Sequence, residues 1–125
     1  MPGAIIGTPD YMAPEQINGK EVGGWTDVYA TGSIAFRLLT DRLPFIGSTG
    51  IAVISLKMDN PPPRARDVEP KVPRDLDTLV HEMMSLDPRR RPSTRQARAR
   101  FAAFLKDLDR GPRPEVQDEI GRAHV

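Results

Sequence analysis

Apolar side chains in this chain are grouped at helical spacing, and the groups are separated by short stretches rich in proline and glycine. From Asp75 onward they recur every three or four residues, which places them on one face of a helix that ends before Pro88. A second helix with an apolar side follows Ser93, which has the spacing of a capping box with Gln96. No segment shows the sustained alternation of apolar and polar residues that is typical of a strand. The pattern predicts a mainly α fold without a substantial sheet.

The most apolar stretch of the chain predicts a helix that runs to Thr40, with Thr26 or Asp27 as its N-cap. Its apolar residues cover almost the whole circumference, as in helices buried at the centre of a helical domain. Arg37 interrupts the stretch, which falls well short of the ~20 residues needed to span a bilayer. We therefore expect a buried hub helix. Because the chain offers too few elements to cover it on all sides, we also expect a large exposed apolar patch and a tendency to aggregate or to form a molten state.

Two further helices are predicted in the first half of the chain. One is a short helix at 14–17 with a proline in its first turn, and the other runs from Ile51 and ends at Asn60. The prolines at 61–63 prevent the second helix from continuing, and the loop that follows to Pro73 is expected to be extended. The chain is thus predicted to contain five helices of unequal length, joined by proline-rich connections.

Composition excludes several classes of function. The 125 residues allow at most one domain of ordinary size. With 18 Lys and Arg against 17 Asp and Glu, the net charge of +1 excludes a strongly basic nucleic-acid-binding protein as the overall design. The sequence has no cysteine and two distant histidines, which excludes disulfides, thiolate chemistry and histidine-based metal clusters. We expect a soluble chain without a signal or membrane-spanning segment.

Three short motifs then occur in a characteristic order. They are GTPDYMAPE at 7–15, DVYATG at 27–32 and DPRRRP at 87–92, with a Leu-Pro-Phe turn at 43–45. Ala-Pro-Glu alone would be a weak signal, but the set resembles the bacterial, eukaryote-like serine/threonine protein kinases. The resemblance covers about residues 3–108, which is less than half of that family's catalytic domain. It implies a five-helix fragment of the protein-kinase-like fold, the back half of the large lobe, without the small lobe.

The resemblance also implies a division of the chain. Residues 1–108 are interpreted as a partial protein kinase domain, from the end of the activation segment to the last large-lobe helix, and 109–119 as a polar linker rich in proline and glycine. The codons of a common sequencing adapter can encode residues 120–125, so we expect this tail to be artificial; the alternative is a natural polar tail. Met1 falls within the implied activation loop and is expected to be an internal residue.

Four residues near the beginning are implied to face the protein substrate. Thr8 matches the threonine that orients the catalytic aspartate and its neighbouring lysine, neither of which is in this sequence; without its flanking residues, an ordinary turn residue would be an equally good interpretation. Gly7 and Pro9 match residues that shape the pocket for the substrate residue after the phosphoacceptor, and Tyr11 belongs to the same substrate-binding stretch. No residue of this chain is expected to be catalytic.

Five residues are implied to have structural roles: Pro14, Glu15, Asp27, Gly32 and Arg91. Glu15 matches a glutamate that pairs, out of solvent, with the arginine at the position of Arg91, because a guanidinium can hold a carboxylate by two parallel hydrogen bonds. The alternative is an incidental surface pair worth less than ~1 kcal/mol. Asp27 matches an aspartate that accepts hydrogen bonds from the catalytic-loop backbone, and it could also be an N-cap. Gly32 would allow a neighbouring element to approach closely, at a helix cost of ~1 kcal/mol relative to alanine.

Two residues depart from the family's pattern. Arg37 stands where the family often has an acidic residue, and Asp41 stands where it often has glycine. Both lie at the C-terminal end of the hub helix, where a cation suits the helix dipole and an anion does not. We therefore expect the local packing there to differ from that of the family.

The parts that phosphoryl transfer requires are missing from this sequence. It contains no glycine-rich phosphate loop, no Val-Ala-Ile-Lys, no His-Arg-Asp and no Asp-Phe-Gly. We expect ATP and Mg to bind the parent kinase, a cytoplasmic enzyme that could be membrane-anchored through a segment outside this chain. The chain alone is expected to bind no metal or nucleotide and to be inactive. Its expected partners are serine/threonine segments of protein substrates and the missing N-terminal part of the kinase.

Two other functions are alternatives to this interpretation. One is a non-catalytic, kinase-derived protein-interaction module, which a genuine start of translation at Met1 would favour. The other is nucleic-acid binding through the arginines at 89–91, 95, 98 and 100. No aromatic platform is interleaved with these arginines, so a solvated charged face is favoured over a nucleic-acid site.

Overall fold

The structure, a computed structural model, describes residues 9–110. Within this range it contains six α-helices and one 3₁₀ turn, and no strand. The helices are α1 (Pro14–Ile17), α2 (Gly24–Thr40), α3 (Gly50–Asp59), α4 (Ala65–Val68), α5 (Arg74–Met83) and α6 (Thr94–Asp109), and the 3₁₀ turn is Pro88–Arg90. The prediction of a mainly α fold without a substantial sheet is confirmed, but the predicted number of five helices is wrong by one.

The helix that the sequence analysis missed is α4, which lies in a loop that was expected to be extended. The Asp77 carboxylate, on α5, organises it: Oδ1 accepts the backbone N–H of Arg66 at 3.3 Å and Oδ2 accepts Nη1 of Arg64 at 3.2 Å. Ala65 is buried beneath the turn. Because the group that fixes this short helix comes from a later element, the local pattern of prolines gave no sign of it.

The N-cap prediction for α2 is also wrong. The helix begins at Gly24 with Gly23 as its N-cap, so Thr26 and Asp27 lie inside the first turns. The Thr26 hydroxyl accepts the Gly23 N–H at 3.2 Å, which satisfies one of the donors that a helix start leaves unpaired. At the other end, Asp41 has the left-handed conformation with φ 59°, and its N–H donates to the Arg37 carbonyl at 2.8 Å. This conformation explains why glycine suits the position of Asp41.

The hub helix α2 packs against α5 and α6. Gly32 lies against α5, where an added Cβ would be 2.8 Å from the Cβ of Met83, so the two helices approach each other more closely than a side chain would allow. Tyr29 and Phe36 are fully buried on one side of α2. Ile34 and Leu38, in contrast, are 46% and 81% exposed. The other described helices therefore cover α2 only in part.

No helix within residues 9–110 is both long and apolar enough to cross a membrane.

Candidate functional site

The side chains of Glu15 and Arg91 meet in the interior, although 76 residues separate them in the sequence. Nη1 of Arg91 donates to Oε2 of Glu15 at 2.7 Å, and Nη2 donates to Oε1 at 3.0 Å. The exposed fraction is 0% for the arginine side chain and 4% for the glutamate side chain. This is a buried, bidentate ion pair, in which the loss of one partner leaves an uncompensated charge.

The other N–H groups of Arg91 donate to backbone carbonyls. Nη1 reaches the Trp25 oxygen at 2.9 Å, Nε the Ser85 oxygen at 2.9 Å and Nη2 the Leu86 oxygen at a longer 3.5 Å. The five N–H groups of the guanidinium therefore all have acceptors. A lysine has three donors and no planar fork, so it could not replace this set of contacts.

The two motifs present these side chains from short, well-defined turns. Glu15 lies in α1, which begins with Pro14 after Ala13, and the Ala13 N–H donates to Oε1 of Gln16 at 2.9 Å. Proline suits the first helical position because its missing N–H would have no partner there. The chain then leaves α1 through Gly19 with φ 67°. A four-residue helix thus points the carboxylate inward.

Arg91 follows the 3₁₀ turn Pro88–Arg90. Asp87 caps this turn, because its Oδ1 accepts the Arg89 N–H at 3.0 Å. The hydrogen bond from the Arg89 side chain lowers the pKa of the Asp87 carboxyl below its ordinary value. The Asp-Pro-Arg-Arg-Arg-Pro motif therefore forms a capped turn that directs one of its three arginines into the interior.

Thr26 is a third member of the ion-pair site, and the sequence analysis did not assign it there. Its hydroxyl donates to Oε2 of Glu15 at 2.9 Å, and it is buried. Burial alone would raise the pKa of Glu15, but the hydrogen bonds from Arg91 and Thr26 and the charge of Arg91 outweigh it, so the pKa lies below the ordinary value of 4.5. The carboxylate is ionised at neutral pH.

Tyr29 connects the ion pair to a second cation. The guanidinium carbon of Arg91 lies 4.9 Å from the centre of the tyrosine ring, and Nζ of Lys57 lies 5.5 Å from it. Both distances are within the range of cation–π attraction. Burial raises the pKa of the Tyr29 phenol, against the positive charge of Arg91, so the ring remains neutral.

Lys57, which the sequence analysis also did not assign, is 1% exposed. Its Nζ donates to the carbonyl oxygens of Pro9 at 2.6 Å, Asp10 at 2.9 Å and Met12 at 2.9 Å. Together with Glu15, these contacts fix both ends of the segment 9–15. No residue-type pattern could have indicated them, because the acceptors are backbone atoms.

The structure places the remaining predicted residues as follows. Pro9 and Tyr11 lie in the segment 9–15, where the Tyr11 hydroxyl accepts Nη1 of Arg37 at 3.2 Å. Asp27 is exposed and its carboxylate has no hydrogen-bond partner among residues 9–110, so it is not brought to the ion pair. Gly7 and Thr8 lie outside the described residues, and so do the tail 120–125 and most of the predicted linker 109–119.

Asp27 lies at an apolar groove of about 460 Å³ between α2, α5 and α6. The groove is lined chiefly by apolar side chains, among them Val28, Met83, Phe101 and Leu105. The acidic and histidine side chains of residues 9–110 form no group of three that could hold a metal ion.

The comparisons with known proteins agree with this geometry. The model of the protein kinase domain matches residues 3–101. The chain is 34% identical over 110 residues to serine/threonine-protein kinase pkn3 of Myxococcus xanthus, which covers 86% of this chain and 20% of that protein. It is 42% identical over 86 residues to serine/threonine-protein kinase Pkn1 of the same organism, and this match covers 69% of this chain and 12% of that protein. It is 35% identical over 119 residues to the probable serine/threonine-protein kinase PkwA of Thermomonospora curvata, and this match covers 95% of this chain and 15% of that protein.

The chain belongs to the protein kinase domain family, because the family match covers most of its length. Its relatives in these comparisons are bacterial kinases named for serine and threonine. The chain spans a fifth or less of the length of these relatives.

Proposed function

We propose that this chain is a part of the large lobe of a serine/threonine protein kinase and that it carries the substrate-facing segment of that enzyme. The buried ion pair of Glu15 and Arg91 supports this most directly, because it joins two motifs of the family across 76 residues. The parent enzyme transfers a phosphoryl group from ATP, with Mg, to serine or threonine in proteins. It acts in the cytoplasm.

In this proposal, Gly7, Thr8, Pro9 and Tyr11 face the protein substrate, and Thr8 orients a catalytic aspartate and lysine that come from another part of the parent. Support comes from the position of Pro9 and Tyr11 in the segment 9–15, which Lys57 holds at one end. The structural residues Pro14, Glu15 and Arg91 hold the other end. A substrate site needs a fixed backbone to position a peptide for reaction.

The N-terminal part of the kinase is the proposed partner of the apolar groove. Two features favour this: the groove is open beside the hub helix, and the unpaired Asp27 carboxylate lies at it, where it could accept backbone N–H groups of the catalytic loop. The sequence itself contains none of the motifs that bind ATP or catalyse transfer. We therefore propose that the 125-residue chain is inactive on its own.

The test compares this chain with the longer kinase polypeptide in which the segment occurs. Both are incubated with radiolabelled ATP, Mg and a mixture of serine, threonine and tyrosine peptides. The longer polypeptide is expected to label serine or threonine peptides and the 125-residue chain none. Labelling of tyrosine alone, or labelling by the short chain purified free of other kinases, would contradict the proposal. In the longer polypeptide, Arg91→Ala is expected to reduce this labelling, because it breaks the ion pair with Glu15. Arg89→Ala is its matched control, because Arg89 lies in the same motif but is exposed.

A further inference from the structure

Lys57 is a charged residue in an apolar environment. It lies in α3, near the C-terminal end of a helix whose other residues are mostly apolar, and its side chain is almost completely buried. Burial of a lysine is unfavourable unless hydrogen bonds replace the water around the ammonium group. A chain that needed only packing at this position could use leucine or methionine without that cost. The contacts of the ammonium therefore indicate what the lysine does.

The hydrogen bonds of the ammonium group all go to one short stretch of backbone. The ammonium group has three N–H donors, and the three carbonyl oxygens of Pro9, Asp10 and Met12 lie 2.6–2.9 Å from Nζ. The chain must turn for three carbonyls so close in sequence to converge on one point. The Met12 N–H donates back to the Pro9 carbonyl at a long 3.4 Å, which alone would hold this turn weakly. The lysine is thus the main donor that fixes its shape.

The charge state of the lysine agrees with this geometry. Burial lowers the pKa of Lys57 to about 8, while the negative charge of Asp10 opposes the shift. The ammonium form, with its three donors, therefore still predominates at neutral pH, and it matches three acceptors. The neighbouring Tyr29 ring offers a further favourable contact to the positive charge.

We propose that Lys57 is a positioning residue for the peptide substrate, because its ammonium group holds the backbone of residues 9–12 in the shape that receives the substrate. This inference rests on the proposed function, in which the segment 9–15 faces the peptide. Lys57 contacts no reacting atom in this role. It acts through the carbonyl groups of Pro9, Asp10 and Met12.

The first test uses the longer kinase polypeptide and requires no catalysis. Lysine side chains are dimethylated under native conditions, and the rate at each site is followed by mass spectrometry. Lys57 is expected to react at least about 10-fold more slowly than the exposed Lys71, because a buried, fully bonded ammonium group is protected. Equal rates at the two lysines would overturn the inference without bearing on whether the parent is a kinase.

The second test uses the longer kinase polypeptide and separates peptide binding from folding. Lys57→Met keeps an unbranched apolar side chain and removes the ammonium group with its donors, and Lys71→Met is the matched surface control. We expect Lys57→Met to lower kcat/KM for the peptide about 10- to 100-fold, mainly through KM, with the KM for ATP changed less than about twofold. Lys57→Arg is expected to recover part of the loss, because it restores donors with a different geometry.

The outcomes distinguish the two proposals. An inactive parent enzyme would overturn the proposed function, whereas an active parent with an unchanged peptide KM in Lys57→Met would overturn only the role of Lys57. A parallel loss of activity toward peptide and ATP would show a merely structural lysine and would also contradict the inference. If Lys57→Met does not fold, Lys57→Arg is compared with the unaltered polypeptide in the same assay: a higher KM for the peptide with an unchanged KM for ATP is expected, and an unchanged peptide KM would overturn the role of Lys57.

Discussion

The segment 9–15 is held at its two ends by different kinds of contact. At Glu15, side chain meets side chain: a carboxylate and a guanidinium form a bidentate pair, and both residues must be present. At residues 9–12, one side chain meets only backbone, because Lys57 donates to three carbonyl groups. The first contact therefore depends on the residue types at both positions, and the second on only one. The ring of Tyr29 lies close to both cations and joins the two sites.

This difference determines which contact a sequence can reveal. The pair of Glu15 and Arg91 belongs to two recognisable motifs, and the structure contains it. The contacts of Lys57 carry no signature in the residues that accept them. Removal of Arg91 leaves a stranded carboxylate, whereas removal of Lys57 removes the buried charge itself. The variants below separate the two contacts on this basis.

Arg91→Ala is expected to have the largest effect. It leaves the buried Glu15 carboxylate without its partner and should lower the free energy of unfolding by about 3–5 kcal/mol. Chemical denaturation of the longer kinase polypeptide, in which the apolar groove beside α2 is proposed to be covered, measures this loss. Arg91→Lys should recover only a small part of it, because an ammonium group cannot form the two parallel bonds. A loss below about 1 kcal/mol, as for an exposed pair, would contradict the account.

Lys57→Met should have a smaller effect on global stability. It leaves three carbonyl groups without their donor but also removes a buried charge, so a loss of about 1–2 kcal/mol is expected. Its local effect is more specific: the amides of residues 10–12 should exchange hydrogen faster, while those of α5 should be affected only through the global change. Uniform acceleration in both regions would count against a separate contact at this end of the segment.

Thr26→Val affects only the end held by the ion pair. It removes the hydroxyl that donates to Glu15 at 2.9 Å and accepts the Gly23 N–H at 3.2 Å, at a cost of about 1 kcal/mol. Thr26→Ser keeps the hydroxyl and is the matched control. Thermal denaturation of the two variants should show the valine protein melting at the lower temperature. Equal melting temperatures would mean that the hydroxyl does not contribute to the site.

Mild acidification should lower the free energy of unfolding less than any of the three substitutions above. The folded pKa of Glu15 lies below the ordinary value of 4.5, so this group contributes stability above pH 4.5 and loses it as the pH falls through the folded pKa. Between pH 7 and pH 4.5, its share of the loss is small, and it grows as the pH falls further. The difference between the unfolding free energies of the unaltered chain and Glu15→Gln, followed from pH 7 to pH 3, should shrink. A constant difference would show that Glu15 does not titrate in this way.

Much of the helical framework could be predicted from periodicity. The helices α5 and α6 have regular apolar stripes, and the capping box of Ser93 and Gln96 is present at the start of α6. The start of α2 could not be predicted correctly, because Thr26 serves as the third residue of the helix and its hydroxyl also bonds Glu15. Helix α4 was missed because Asp77, a residue of another helix, fixes it. In each case the deciding contact is tertiary.

The residues of the candidate site that belong to motifs could be predicted from the sequence. Those that act through backbone atoms could not. Lys57 follows an apolar run in α3, where a single lysine near the end of a helix usually interacts with the helix dipole and solvent. Only the folded structure shows that its side chain turns inward to Pro9, Asp10 and Met12.

A double-mutant cycle on Glu15 and Arg91 tests the central claim most directly. The unfolding free energies of the unaltered chain, Glu15→Ala, Arg91→Ala and the double variant give the coupling energy between the two side chains. The account predicts a coupling of about 2 kcal/mol or more, with the double variant little less stable than either single variant. A coupling within experimental error of zero, with additive losses, would show that the two side chains do not hold the segment 9–15 to the helices.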